Sequence, residues 1–292
     1  MPVEVRPAML EEIPRIAEFM ASRLGGRGPD AHPPERYRRY LEYRWPVERG
    51  DAGVVIEDAG ELRGVIGAIY STRTIERVHH RFCNLTSIAV DDSHRKWSLQ
   101  AFATLFRRKD VTFTVFSASE AVQKILEFFK FAKRASSRVI LPPVGFTGLV
   151  HRATGRVRVV TNTEDIVREL QGSERTIAED HARHGCAQVL LERGGVRSHV
   201  VAVRRGHGAR TFADILYASD RALCVAEISS IQPSLARSLR TPLIGLDASW
   251  TSKRPLVSAT YAKLRPVYAR SPVLNIDEVD ALYSELVALG SR

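Results

Sequence analysis

The sequence contains few cysteines, and their positions exclude two kinds of small cross-linked fold. Cys83, Cys186 and Cys224 are odd in number, lie far apart and form no Cys-x-x-Cys pair. Disulfide frameworks and structural zinc sites both depend on such residues at short, regular spacings. We therefore predict a fold that is stabilised by its hydrophobic core, without a disulfide framework and without a bound metal.

Long apolar segments are also missing. No stretch reaches the roughly 18 apolar residues that a membrane-spanning helix requires. Residues 1–24 carry Glu4, Arg6, Glu11 and Glu12 where the apolar core of a signal peptide would lie. Hydrophobic residues make up 44% of the chain and charged residues 26%, as in ordinary soluble proteins. We expect a cytoplasmic protein without a membrane span.

The length of 292 residues suits two domains of about 145 residues each. The net charge of +10 is divided equally, because residues 1–145 and residues 146–292 carry +5 each. There is no basic arm, and no alternation of aromatic and basic residues that is typical of single-strand binding. Nucleic acid is therefore not the predicted partner, whereas an anionic small ligand would use the positive charge equally well.

The most informative stretch is Phe82–Phe131, which predicts a β-α-β-α unit built around a crossover. Its first strand is apolar and ends in a polar, basic turn. By the alternation of a strand, Asn84, Thr86, Ile88 and Val90 share one face. These four side chains lead directly to the turn.

The turn itself is a candidate anion site. Residues 91–96 leave a strand and open a helix, and the first N–H groups of a helix are free to bind phosphate. Arg95 and Lys96 add two positive charges at this point. A solvated basic helix start is the alternative interpretation.

These residues resemble the central motif of the GNAT superfamily of acyl-CoA-dependent N-acyltransferases. In that motif, a strand ending in Val-x-Pro-x-x-Arg-Gly-x-Gly-x-Gly binds the pyrophosphate of coenzyme A. Val90 and Arg95 match the valine and the arginine, whereas the three glycines are replaced. A second family block, Asn-x-x-Ala-x-x-x-Tyr followed by Gly-Phe, is similar in spacing. The three glycine positions are occupied by Lys96, Ser98 and Gln100. The second block corresponds to Ser119, Val122, Leu126 and Lys130-Phe131.

The resemblance implies an α/β fold with a mixed sheet and two tandem GNAT-like domains. The predicted order β-α-α-β-β-β-α-β-α covers about residues 1–142, and Pro142-Pro143 marks a boundary. Residues 1–143 would form the acyl-CoA-binding domain, and residues 144–292 a second, eroded copy with a final helix over residues 279–289. Residues 218–221 stand where this copy would carry its phosphate loop, so we do not expect it to bind coenzyme A.

The implied activity is transfer of an acetyl or longer acyl group from a thioester to an amine. Acetyl-CoA or another acyl-CoA would be the co-substrate, and an acyl carrier protein is a further candidate donor. Two alternatives stay open. One is a catalytically inactive module that binds or senses an acyl thioester, and the other is a Fem-type aminoacyltransferase that takes its donor from tRNA.

The residues that the family uses for proton transfer are replaced here. The family's base lies four or six residues before the motif valine, which places Thr86 and Asn84 at its positions. Neither is a base at neutral pH, although Asn84 can orient a water or an acceptor. The family's tyrosine acid corresponds to Leu126. His80, at the turn into the central strand, is a substitute base, with a solvated hairpin turn as the alternative.

The resemblance assigns the coenzyme A site mainly to the end of the strand and the following turn. Ser119 precedes the next helix and could contact the pantetheine arm, or it could simply cap that helix. The predicted coenzyme A residues are Ile88, Val90, Arg95, Lys96, Trp97, Ser98 and Ser119.

Three further groups of residues have both a functional and a structural interpretation. Cys83 could act as a nucleophile, but a small buried residue on the face opposite Asn84 is the favoured reading. A group of acidic, histidine and cysteine side chains resembles metal ligands, yet an exposed charged helix explains it better. A basic segment fits a hairpin turn or a grip on an anionic acceptor. The group that resembles metal ligands consists of Glu179, Asp180, His181, His184 and Cys186. The basic segment is residues 204–208.

Overall fold

The structure is a computed structural model that describes residues 2–26, 32–143, 157–207, 210–251 and 260–288. The chain divides into two compact units. Unit 1 comprises Met1–Arg134, Pro266–Val279 and Tyr283–Leu289. Unit 2 comprises Ala135–Arg265, Asp280–Leu282 and Gly290–Arg292.

The first part of the chain follows the predicted order of elements. It contains β1 (Glu4–Pro7), α1 (Ile13–Leu24), α2 (Pro34–Leu41), β2 (Gly53–Asp58), β3 (Glu61–Ile75), β4 (Val78–Val90), α3 (Ser98–Leu105), β5 (Val111–Val115), α4 (Glu120–Phe128), β6 (Ala132–Arg134) and β7 (Ser137–Leu141). The order β-α-α-β-β-β-α-β-α from β1 to α4 is confirmed.

The second part of the chain begins a similar succession. It contains β8 (Arg158–Val160), α5 (Thr163–Glu169), α6 (Gly172–Ala182), β9 (Ala187–Arg193), β10 (Val196–His207), β11 (Arg210–Ala218), α7 (Arg221–Ala226), α8 (Ile228–Leu239), β12 (Ile244–Asp247), β13 (Thr260–Lys263), β14 (Val267–Arg270) and α9 (Glu285–Ala288).

The sheet of unit 1 has, within the described residues, seven strands in the order β1-β2-β3-β4-β5-β14-β6. Strands β4 and β5 are parallel, as the crossover through α3 requires, and the other neighbours are antiparallel. Strand β14 comes from the C-terminal part of the chain and pairs Tyr268 with Val115 of β5. It also pairs Val267 with Arg134 of β6. Unit 1 is therefore completed by a segment that is distant in sequence.

Aromatic side chains fill the core of unit 1 between α3 and the sheet. Phe106 of this core contacts the rings of Phe113, Phe129 and Phe131 at centroid distances of 5.0 to 5.1 Å. Phe102, one helical turn earlier, is fully buried and contacts Phe106. Large aromatic groups of this kind dominate the energy of a core. They hold α3 in place, and with it the turn that leads from β4.

The sheet of unit 2 has, in the described ranges, the order β13-β7-β12-β11-β10-β9-β8. Strands β11 and β12 are its parallel pair. Strand β7 lies between β12 and β13, so the segment before the predicted boundary belongs to this sheet. The apolar face of α8, with Ile231, Leu235 and Leu239, packs on the buried side of these strands.

The division of the chain therefore differs from a single cut after residue 143. Each sheet takes one strand from the other half of the chain: β14 enters the sheet of unit 1 and β7 enters that of unit 2. The predicted helix over residues 279–289 is also shorter than expected. In the described residues it is the single turn α9, preceded by a turn of 3-10 helix over Ile276–Glu278.

None of the described helices combines the length and the apolar composition that crossing a bilayer requires.

Candidate functional site

Strands β4 and β5 part at the middle of the first sheet. Their parallel pairing runs from Arg81 and Val111 to Asn84 and Thr114. Beyond these residues β4 continues to Val90, whereas β5 ends at Val115. Open α/β sheets bind ligands at the carboxyl ends of their parallel strands. This opening is therefore the candidate site.

A β-bulge lies in β4 beside the opening. Val65 of β3 pairs with Ala89 and Gly67 pairs with Thr86, so Ser87 and Ile88 together face one residue of β3. Ser87 has a φ of +47°, which is unusual for a residue other than glycine. Bulges of this kind are frequent next to active sites. The bulge also interrupts the simple alternation that was predicted from Asn84 to Val90.

Asn84 joins three elements at the point where the strands part. Its Nδ2 donates to the carbonyl oxygen of Thr114 at 3.2 Å and lies 3.3 Å from Thr114 Oγ1. Its Oδ1 accepts the backbone N–H of Glu285 at 3.1 Å. The side chain is almost completely buried. Asn84 therefore ties α9 to the opening.

Glu285 brings a carboxylate to the opening, and sequence reasoning missed it. The residue is 4% exposed, and its Oε1 accepts a hydrogen bond from Ser117 Oγ at 2.7 Å. Ser117 lies just beyond β5 and is exposed. Glu285 follows Asn84 by 201 positions in the chain, so no local pattern could have indicated this pair.

A phenol from α2 also lies beside the bulge. The hydroxyl of Tyr40 is hydrogen-bonded to Ser87 Oγ. Burial raises the pKa of the Tyr40 phenol strongly, while the hydrogen bond to Ser87 lowers it to a smaller extent. The nearby carboxylate of Glu285 raises this pKa further. Tyr40 is therefore neutral at physiological pH and keeps its proton as a hydrogen-bond donor.

The other predicted catalytic residues lie at different distances from the opening. Thr86 is buried on β4 and its Oγ1 lies 3.5 Å from Ser87 Oγ. His80 is half-buried near the start of β4 and pairs with Arg73 of β3. His80 lies four positions before Asn84 along the strand, which corresponds to about 13 Å. The structure thus groups Thr86 with Asn84, whereas His80 lies towards the other end of the strand.

The predicted phosphate turn is a segment of 3-10 helix over Asp92–Trp97 that runs into α3. Arg95 and Lys96 are exposed, and Arg95 pairs with Asp92 at 2.7 Å. Trp97 and Ser98 are half-buried. The indole Nε1 of Trp97 is buried and has no hydrogen-bond partner among the described residues. Such a donor is costly unless a partner satisfies it.

Asp91 holds the start of this turn in place. Its backbone N–H donates to the carbonyl oxygen of Arg63 at 2.7 Å, and its carboxylate accepts from Arg23 at 2.6 Å. The hydrogen bond from Arg23 lowers the pKa of the Asp91 carboxyl. His94 in the turn bonds Asp58 at 3.0 Å. The turn is therefore anchored on both β3 and α1.

The remaining predicted residues of the coenzyme A site lie around the opening. Ile88 and Val90 are half-buried on β4 after the strands part. Ser119 is exposed and precedes α4, but its side chain makes no capping hydrogen bond. Simple N-capping therefore does not account for Ser119. Leu126, at the position of the family's tyrosine, is fully buried in α4.

The buried environment of Cys83 matches its structural interpretation. Burial raises the pKa of the Cys83 thiol strongly. The side chain lies in the core near the hydrogen-bonded network of Tyr70, Asp51 and Arg108. Because the thiolate is the reactive form, such a thiol is inert at neutral pH.

In the second unit, the corresponding place holds a buried carboxylate that is bonded by two arginines. Pairing of β11 with β12 ends at Asp214 and Gly245. Asp214 thus occupies the place that Asn84 has in unit 1, and it bonds Arg138 at 2.5 Å and Arg205 at 2.9 Å. At the following turn, the carboxylate of Asp220 accepts the N–H of Leu223.

The metal-like group in unit 2 is dispersed. The ring nitrogens of His181 contact the carbonyl oxygens of Ile177 and Leu282 at 2.7 and 2.8 Å. Glu179 pairs with Arg175 on the same helix. Among the described residues no three His, Cys, Asp or Glu side chains are grouped as metal ligands. The turn predicted within residues 204–208 lies partly outside the described residues, which place residues 204–207 in β10.

Both units have the fold of GNAT acetyltransferases. A GCN5-related N-acetyltransferase from Anabaena variabilis has a TM-score of 0.56 at 10% identity, covering 92% of this chain and 72% of that one. A putative acetyltransferase from Pyrococcus horikoshii has a TM-score of 0.55 at 15% identity, covering 99% and 96%. A tandem GNAT protein from the clavulanic acid biosynthesis pathway has a TM-score of 0.51 at 12% identity, covering 92% and 97%.

The predicted tandem GNAT fold is thereby confirmed. The sequence itself matches no protein-family profile and no curated protein.

Proposed function

We propose that unit 1 transfers an acyl group from a coenzyme A thioester to an amine. The observation that carries this proposal is the opening between β4 and β5, with a bulge in β4 and a basic turn directly after it. A thioester bound along the end of β4 would place its phosphates at the turn and its carbonyl near the bulge. The shared fold with known acetyltransferases supports the same reaction class.

The turn suits an anionic ligand even though the glycines of the family motif are replaced. Side chains at Lys96 and Ser98 limit how closely the backbone can approach a pyrophosphate. Arg95 and Lys96 offer exposed positive charges instead, and Trp97 offers an N–H that has no partner in the described residues. We infer that these three side chains take over part of the binding that backbone groups supply in the family motif.

The bulge would serve the acyl end of the ligand. A thioester carbonyl develops negative charge when an amine attacks it, and fixed donors nearby stabilise that charge. Tyr40 is a neutral donor hydrogen-bonded to Ser87. We assign Tyr40 to this region as the donor to the oxyanion or to the leaving thiolate, a role that Leu126 cannot fill.

A specific observation favours a second candidate, a module that binds an acyl thioester without transferring it. Leu126 stands where the family's acid is found, and Asn84 and Thr86 stand at the positions of its base. Acyl carrier protein and a tRNA-linked donor are further possible sources of the acyl group, and the binding experiment separates them from acyl-CoA.

The test is calorimetric titration of the full chain with acetyl-CoA and with a long-chain acyl-CoA at low and moderate salt. We expect saturable binding that weakens with salt, because phosphate contacts are screened. Arg95→Glu should abolish it, and Trp97→Phe, which removes only the indole N–H, should weaken it by about tenfold. Arg107→Glu reverses an exposed charge just beyond α3 and is the matched control.

Release of free thiol from acetyl-CoA in the presence of primary amines then separates enzyme from binding module. Binding with thiol release supports the transferase, and binding without it supports the inactive module. If acyl-CoA does not bind, or if Arg107→Glu weakens binding as strongly as Arg95→Glu, the proposed site is wrong. Acyl carrier protein and charged tRNA would then be titrated as donors.

A further inference from the structure

We propose that Ser117 and Glu285 form a proton relay that takes the proton from the attacking amine. This inference rests on the proposed acyl transfer in unit 1. It supplies the base that the central strand lacks, since Asn84 and Thr86 cannot accept a proton and His80 lies towards the other end of β4.

The relay consists of an exposed hydroxyl backed by a buried carboxylate. Ser117 lies just beyond β5 and is accessible to a ligand in the opening. Its Oγ donates to Glu285 Oε1 at 2.7 Å, and Glu285 is 4% exposed. The amine would therefore meet the hydroxyl, and the carboxylate would act through it. When an exposed hydroxyl donates a hydrogen bond to a buried carboxylate, the carboxylate can act as a base that activates the hydroxyl.

The position of the carboxylate is fixed by Asn84. The amide oxygen of Asn84 accepts a hydrogen bond from the backbone N–H of Glu285, and its amide nitrogen donates one to the carbonyl oxygen of Thr114. Asn84 thus sets the carboxylate against the point where the two strands part. Burial and the Glu285 carboxylate both raise the pKa of the Tyr40 phenol, so this phenol stays neutral and does not compete for the proton.

An amine that arrives as an ammonium ion first loses one proton through Ser117 to Glu285, which releases it to solvent. The amine nitrogen then uses its lone pair to form a bond to the thioester carbonyl carbon, and the carbon–sulfur bond breaks, with the electron pair leaving on sulfur. One proton of the nitrogen passes to Ser117 Oγ while the hydroxyl proton of Ser117 passes to Glu285. Protonated Glu285 returns its proton to solvent or to the thiolate, which regenerates the relay. No oxidant, reductant or metal enters these steps.

The first variant is Glu285→Gln, because its amide oxygen still accepts the Ser117 hydrogen bond but cannot take a proton. Thiol release from acetyl-CoA is measured with 2-phenylethylamine, which is cationic at neutral pH, and with O-benzylhydroxylamine, a neutral amine of the same shape. We expect the rate with 2-phenylethylamine to fall by a factor on the order of 10². The rate with O-benzylhydroxylamine should fall by less than about tenfold, because this amine needs less help from a base.

The pH profile separates proton transfer from a structural role. As the pH is lowered, kcat/KM of the unmodified protein should fall more steeply than kcat/KM of Glu285→Gln, since the relay requires an unprotonated carboxylate. Glu285→Gln should lose this added steepness. Glu278→Gln, in the same C-terminal segment and exposed, changes another acid in the same way and should leave rate and profile unchanged.

Variants of Ser117 test the hydroxyl. Ser117→Ala should match the loss of Glu285→Gln, and Ser117→Thr should restore most of the rate, because it returns a hydroxyl. The double variant Ser117→Ala with Glu285→Gln should be no slower than either single variant, as expected for groups that act as one unit. Thermal unfolding and the Kd for acetyl-CoA are measured on every variant and should stay close to those of the unmodified protein.

The outcomes distinguish this inference from the proposed function. If the unmodified protein does not bind acetyl-CoA, the proposed function fails and the relay fails with it. If it binds acetyl-CoA but transfers to neither probe, nor to a panel of primary amines, the relay is overturned while the binding site stands. The relay is also overturned if Glu285→Gln slows both probes equally with an unchanged pH profile.

Discussion

Asn84 holds three elements of unit 1 together with one amide group. Its contacts reach Thr114 on β5 and the backbone of Glu285 in α9, and all of them are buried. A buried donor or acceptor that loses its partner costs about 1–3 kcal/mol. The amide of Asn84 therefore contributes to stability as well as to the position of the carboxylate.

Replacement of Asn84 by alanine should destabilise the protein by about 2–4 kcal/mol, because it removes the buried hydrogen bonds to the Glu285 N–H and to the Thr114 carbonyl oxygen. The measurement is urea unfolding followed by tryptophan fluorescence. Thr72→Ala, at an exposed position of β3, is the control and should change stability by less than about 0.5 kcal/mol. A loss for Asn84→Ala no larger than that of the control would contradict this account.

The three cysteines should be unreactive in the folded protein. Burial raises the pKa of the Cys83 thiol strongly, and it raises the pKa of Cys186 and of Cys224 to about 12. At pH 8 a thiol reagent should therefore modify all three only after denaturation, at rates that follow unfolding. Rapid modification of a cysteine in the native protein would show that its site is open.

The same pKa values predict how stability depends on pH. Since the thiols ionise at lower pH in the unfolded chain than in the folded one, their contribution is complete below the ordinary thiol pKa near 9.0. It is then lost as the pH rises towards about 12. The triple variant with serine or alanine at these positions should show a shallower decline of stability in this range. An unchanged decline would assign it to other groups.

At the level of residues, the sequence located the strand but not its chemistry. The pattern around Asn84, Thr86 and Val90 identified the central strand and the turn after it. The carboxylate of Glu285 could not be found, because it reaches the opening only through a contact between residues 201 positions apart. The bulge at Ser87 could not be predicted either. Ser87 has a positive φ, and a glycine at this position would have indicated the bulge, but the sequence has serine there.

Strand β14 lies inside the sheet of unit 1 although it comes from the C-terminal part of the chain. It pairs with β5 on one side and with β6 on the other, so it is a central strand and not an edge. Local patterning identifies strands but does not say which strands pair over long distances. The predicted order of elements from β1 to α4 is correct, but it contains no information on the pairing of β14 with β5 and β6.

Ala269 in the middle of β14 offers a test of this pairing. Ala269→Pro should destabilise the protein by about 3 kcal/mol or more, because proline removes a ladder hydrogen bond and clashes within a central strand. Ala269→Ser keeps the backbone donor and should cost much less. The two variants are compared by thermal unfolding. Equal effects would mean that the strand contributes through its side chains and not through its pairing.

The C-terminal turn α9 shows why the predicted final helix was too long. Residues 279–289 contain apolar residues at helical spacing, yet only Glu285–Ala288 are helical in the described part. The preceding residues instead place Tyr283 against Trp45 at 5.2 Å. Tertiary contacts here outweigh the local helical preference, as they commonly do for short segments.

On the scale of the whole chain, the two units are not consecutive pieces of sequence. Unit 1 needs residues 266–279 and 283–289, and unit 2 needs the strand β7. The paired prolines at residues 142–143 do end a strand, as the sequence indicated, but that strand belongs to the second sheet. A domain boundary that is predicted from local composition cannot show that each half of the chain contributes a strand to the sheet of the other half.

The exchange predicts which fragments fold. Residues 1–143 lack β14 and α9, so β5 and β6 would lose their common neighbour and expose unpaired backbone groups. We expect this fragment to aggregate or to lack a cooperative thermal transition. Residues 1–134 joined by a flexible linker to residues 266–288 contain the seven strands described for the first sheet and should unfold cooperatively.

The same two fragments separate fold from function. If the linked fragment folds and binds acetyl-CoA while residues 1–143 do neither, then β14 and α9 are parts of the first unit and of its site. The variant Ala269→Pro placed in the linked fragment should abolish the cooperative transition, because proline interrupts the pairing of β14 with β5 and β6. A well-folded fragment 1–143 would instead mean that β6 can pair with β5 directly, and that the C-terminal strand is an addition to a unit already complete.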